Sequence, residues 1–90
     1  MKKQSSTSLK KISSILALAV DEKELQAILA DLLTPAETKD LAERIAIIQH
    51  LLMGEPQRTV AKKLKVSISK VSRGSLLLHT GKGALAAALE

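Results

Sequence analysis

At 90 residues the chain has room for one domain, and with 46% apolar residues but no Phe, Tyr or Trp its core must be aliphatic. The missing aromatics remove the stacking platforms of single-strand and RNA binders, and the absence of Cys excludes a disulfide framework, thiol catalysis and a cysteine zinc site. The net charge of +5 sits entirely in residues 55–90, where seven Lys and Arg face two Glu. That balance suits a phosphate backbone or an anionic surface, and equally a solvated basic face.

An aliphatic chain without long β-branched runs favours helices over sheet. The elements follow in order. "MKKQSSTS", residues 1–8, is polar and aperiodic and reads as a flexible tail. Leu9, Ile12, Ile15, Leu16 and Ala19 then mark one face of a first helix. The same segment imitates a secretory signal, but Ser13 and Ser14 interrupt its short apolar run, so it is taken as structure. Asp21 with Glu24 forms a capping-box pattern ahead of a second helix bearing Leu25, Ile28, Leu29 and Leu32.

"TPAE", residues 34–37, is the sharpest local signal: Thr34 to cap, Pro35 for the first turn, Glu37 to close the box. The third helix carries Leu41, Ile45, Ile48 and Leu52, widened by Ile47 and Leu51, and Gly54 ends it. Pro56 starts a short fourth helix through Leu64. Lys65-Val66 breaks the chain, and Ser67 caps a fifth helix with Ile68, Val71 and Leu76–Leu78. "TGKG", residues 80–83, is a turn before a weak final helix. The expectation is an all-α domain over residues 9–90, about six helices, with no strand. No apolar run approaches the ~18 residues of a membrane span.

Residues 57–73, "QRTVAKKLKVSISKVSR", are the densest pattern. Two short helices meet at a tight turn, Ala61 supplies the small residue at their crossing, and Val60, Leu64, Val66 and Val71 fix it. This is the logic of a helix-turn-helix, here over residues 57–78, whose second helix projects its N-terminal residues into a major groove. Ser67, Ile68, Ser69, Lys70 and Ser72 fall on or near that tip. Gln57 and Arg58 start the first helix. Hydroxyls can contact phosphate or base edges, and Lys70 or Arg58 can reach guanine or phosphate. The turn position often taken by Gly is Lys65 here; if it needs φ > 0, Lys costs on the order of 1 kcal/mol more than Gly. The bland reading is two packed helices with a basic face.

"LLTPAE" (32–37), "LAERIAII" (41–48), "LLMGEPQR" (51–58) and "KVSRGS" (70–75) resemble the tryptophan repressor family in order and spacing. The likeness covers about half the chain by residue and the rest by layout. It implies an intertwined homodimer on double-stranded DNA, with half-sites roughly 34–36 Å apart, acting as a repressor in the bacterial cytoplasm on the nucleoid. It also implies an L-tryptophan co-repressor, an indole between Arg44 and Arg73, a carboxylate held by an arginine and Thr34, and Ile47 on the pocket wall. A family serine that helps hold the ligand's ammonium matches Leu77 here, with Leu76 beside it. An apolar side chain cannot accept from an ammonium. Other readings stay open at these residues: Arg44 as an i, i+4 pair of Asp40, Thr34 as a cap only, Arg73 as a phosphate contact.

Two further functions remain in view. One is a ligand-independent or differently liganded regulator on the same fold. The other is a helical module whose basic face binds an acidic protein. Enzyme chemistry is not expected: His50 and His79 lack metal-ligand spacing, Ser75 lacks a nucleophile elbow, and "GKG" lacks the rest of a phosphate loop.

Overall fold

The computed structural model describes the backbone of residues 2–90 and the side chains of residues 7–90. Six α-helices and no strand occur among them: α1 (Lys2–Leu16), α2 (Glu22–Leu32), α3 (Pro35–Leu52), α4 (Gln57–Leu64), α5 (Ile68–Thr80) and α6 (Ala84–Leu89). Two compact units divide the chain, Met1–Thr38 and Lys39–Glu90, and α3 crosses the division.

In the first unit α1 lies beside α2. The expected tail, residues 1–8, is helical in its backbone from Lys2 onward as part of α1, and its side chains are described only from Thr7. The far end of α1 also differs from expectation. The helix stops at Leu16, and Ala19 sits in a tightened turn where Leu18 N–H donates to Ile15 O (3.1 Å) and Ala19 N–H to Leu16 O (3.2 Å). Such i→i+3 bonds satisfy end carbonyls while turning the chain out of the helix. Asp21 caps α2 as its spacing predicts, accepting from the Glu24 N–H at 2.9 Å. No residue of α2 is buried. The Thr34–Glu37 box is closed in both directions: Thr34 Oγ1 accepts from the Glu37 N–H (3.1 Å), and Glu37 Oε1 accepts from the Thr34 N–H (2.9 Å). Pro35 has no N–H to satisfy, and two of the remaining N–H groups at this helix start thus find partners.

The second unit contains the core. Ile47 and Ile48 of α3, Val60 of α4 and Val71 of α5 are buried. Leu51, Ala61, Leu64 and Val66 pack around Ile47, Val60 and Val71. Gly74 permits the close approach of α5 to α3: a Cβ there would lie 2.7 Å from Ile47 Cγ2. Gly54 (φ 86°) turns the chain after α3. Lys65 stands at φ 56°, ψ 44° and ends α4, so the turn demands the left-handed conformation that Gly adopts freely and Lys does not. The left-handed region costs a side-chain-bearing residue roughly 1–2 kcal/mol. The apolar contacts across α4 and α5 overcome that strain.

Candidate nucleic-acid interface and adjoining cleft

Helices α4 and α5 are joined by three residues, Lys65 to Ser67, and pack on each other through Val60 and Val71. The sequence places the cap correctly, since Ser67 Oγ accepts from the Lys70 N–H at 3.2 Å. Its O–H remains a donor for a phosphate or a base edge. Ser67, Ile68, Ser69, Lys70 and Ser72 are all solvent-exposed. Ser72 Oγ donates to Gln57 Oε1 (3.0 Å), which ties the start of α4 to the second turn of α5 and leaves the Gln57 amide nitrogen to donate elsewhere. Arg58 lies exposed one residue further along α4.

Lys70 is held where local sequence could not place it. Its Nζ donates to Glu43 Oε1 at 2.8 Å and lies 3.8 Å from Asp40 Oδ1, both on α3. The Lys70 hydrogen bond holds the Glu43 carboxyl below its ordinary range, with the charges of Lys70 and Lys39 helping and burial opposing. Conversely, the Glu43 hydrogen bond raises the Lys70 ammonium above its ordinary value. Asp40 therefore faces Lys70, in place of the Arg44 partner that helix spacing suggests.

A cleft of about 100 Å³ opens between α3 and α5, lined by Asp40, Glu43, Arg44 and Ile47 from one and Lys70, Arg73 and Gly74 from the other. Three of the four residues singled out for a ligand, Arg44, Ile47 and Arg73, thus share one cleft. The fourth, Thr34, is engaged in capping α3. Sequence reasoning missed Asp40 and Glu43 as part of this cleft. A signal was present: Glu43 stands four residues before Ile47 and three after Asp40, on one helical face. Gly74 was missed too, because its function is an absence of volume.

Leu77 belongs elsewhere. With Leu78, Ile48 and residues of α6 it lines a mainly apolar groove of about 270 Å³, to which Arg44 also contributes.

The turn into α4 is stapled by a charged cluster. His50 Nδ1 lies 2.8 Å from Glu55 Oε2, and Lys63 Nζ lies 3.1 Å from Glu55 Oε1. An ionised carboxylate only accepts, so His50 Nδ1 carries the proton. The His50 hydrogen bond first, and Lys63 second, hold the Glu55 carboxyl below its ordinary value. His50 is thus a structural partner of Glu55. Among the described residues no group of three or more His, Cys, Asp or Glu is placed to hold a metal ion, and no helix is long and apolar enough to cross a membrane.

A short turn, two packed helices and an exposed polar tip define a helix-turn-helix protein. Comparison with known proteins gives the particular kind. The model of the Trp repressor protein family matches residues 7–90, and the chain belongs to that family. It is similar to the Trp operon repressor homolog of Chlamydia trachomatis serovar D, 38% identical over 76 residues that span 83% of this chain and 81% of that protein. The Trp operon repressor homolog of Vibrio vulnificus strain YJ016 is 34% identical over 70 residues, 77% and 69% of the two chains. No solved structure matches. The family is one of DNA-binding repressors, not enzymes, and this chain is a regulator of that type.

Proposed function

We propose that the chain represses transcription as a homodimer that reads duplex DNA in sequence-specific fashion, with residues 9–90 acting as one DNA-binding and dimerisation domain and L-tryptophan as its effector. The exposed tip of α5 carries this reading. Ser67, Ser69 and Ser72 offer hydroxyls, Ile68 offers an apolar contact for a thymine methyl, and Lys70 adds a cation. Gln57 and Arg58 fit the flank of the same groove. The buried pair Val60 and Val71 keeps the tip in one orientation, which a reader needs if hydrogen bonds are to discriminate bases. The homodimer is supported by apolar stripes that one short chain leaves open: Leu9, Ile12 and Ile15 on α1 are all exposed. A second copy is the economical cover for a chain of this length.

The two guanidinium groups of Arg44 and Arg73 support the effector assignment, since a planar cation suits both an indole face and a carboxylate. The cleft is narrow against the ~300 Å³ and more of ordinary ligand pockets. An indole enters only if α5 tilts from α3 or the Lys70 side chain leaves. That narrowness favours a second reading, the same regulator working without tryptophan.

One experiment separates the two. The chain contains no Phe, Tyr or Trp, so bound tryptophan reports on itself. Titration of the protein into dilute L-tryptophan is expected to raise its fluorescence anisotropy saturably, and Arg73→Ala is expected to abolish the rise. A flat anisotropy at high protein removes tryptophan and returns Arg73 to the DNA side.

A further inference from the structure

Lys70 sits at the tip of α5 among residues that face solvent, yet its ammonium is turned back onto α3. Glu43 Oε1 accepts from it at 2.8 Å, and Asp40 Oδ1 stands behind at 3.8 Å. The pairing joins residues 27 positions apart, so it depends on the crossing of α3 and α5 and not on helix propensity. Two carboxylates of α3 thus face the one ammonium that α5 offers at its tip. A phosphate that takes Lys70 must first break this pair.

We propose that Glu43, with Asp40 behind it, is an electrostatic latch on the reader: it keeps Lys70 on α3, and duplex DNA has to take Lys70 from it. The inference rests on the DNA-binding reading above. The strength of the pair suits such a device. The Lys70 side chain is 49% exposed and that of Glu43 24% exposed, so solvent screens the pair and a phosphate can displace it. Both carboxylates also line the cleft beside Arg44 and Arg73.

The test uses the full chain and a mixed-sequence duplex, because a phosphate contact does not depend on sequence. Glu43→Gln is expected to tighten binding about twofold to fivefold. The slope of log affinity against log salt is expected to change by less than the ~0.9 of one phosphate contact, because Lys70 reaches phosphate in both complexes. In a Lys70→Met background the same substitution is expected to change affinity by less than about twofold. Equal tightening in both backgrounds would mean that Glu43 acts by general repulsion and would overturn the latch. So would unchanged affinity in Glu43→Gln while the wild-type chain binds. Failure of the wild type and every variant to bind any duplex would instead overturn the DNA-binding reading. A readout without DNA guards against that case and against misfolding. NMR titration of the Glu43 carboxyl is expected to give a higher pKa in Lys70→Met than in wild type, with helicity by circular dichroism unchanged. An identical titration in the two proteins would overturn the pairing itself.

Discussion

The region around α4 and α5 and the region of α1 and α2 use the same kind of amphipathic helix and arrive at different outcomes. Ile47, Val60 and Val71 are at most 2% exposed. Ile12 and Ile15, equally regular in their spacing, remain 48% and 50% exposed, and α2 buries nothing. Periodicity therefore assigns an apolar face and leaves open what covers it. The difference also follows from work to be done. A reader that discriminates bases has to be held by its own chain before DNA arrives. Stripes left open can wait for a second copy.

The contrast is broken or sharpened most strongly by paired truncations. Ile47→Ala is expected to cost about 2–5 kcal/mol at any protein concentration, because it opens a cavity in the packed centre. Ile12→Ala is expected to cost no more than about 0.5 kcal/mol in the dilute single chain, and to cost more as concentration rises if a second copy covers α1. Urea melts over a concentration series read both. A large, concentration-independent loss in Ile12→Ala would erase the distinction between the two regions.

A smaller effect is expected at the turn. Lys65→Gly relieves the left-handed strain at φ 56° and should raise stability by up to about 1 kcal/mol, less the entropy that Gly adds to the unfolded chain. Thermal melts of the two proteins check it, and a loss of stability would show that the Lys65 side chain compensates its own strain.

The smallest effect is a pH dependence at the staple of α4. The Glu55 carboxyl is held below its ordinary value of 4.5 by His50 and then Lys63. The unfolded chain therefore takes up the proton first. The contribution of Glu55 to stability is fully present above 4.5 and is lost as pH falls through the lowered folded value. Glu55→Gln should flatten that part of the melting-temperature profile below 4.5 and leave the rest of the acid limb in place. A profile unchanged by Glu55→Gln would remove the staple from the account.

Much of the fold was legible because its boundaries are local. Asp21, Thr34 with Glu37, and Ser67 each act within three residues of themselves, and all three caps form. The strain expected at Lys65 was legible for the same reason. The end of α1 was less so, because the apolar pattern runs past Leu16 while the backbone turns on bonds that pattern does not encode. The cleft was half legible. The likeness to a known family pointed to Arg44, Ile47 and Arg73, and all three line it. Nothing in the order of residues says that Lys70 crosses to Glu43, because that contact depends on how α5 lies on α3. His50 and Glu55 are five residues apart, but they meet only because Gly54 reverses the chain between them.

In the proposed function the tip of α5 reads base sequence. The most direct measurement is selection of bound sites from a random duplex pool by the wild-type chain, alongside Ser69→Ala with Lys70→Ala. The wild type is expected to enrich a pair of symmetric half-sites separated by about one helical turn, and a variant of unchanged helicity is expected to lose that enrichment. No enriched sequence, or the same sequence selected by both proteins, would contradict it.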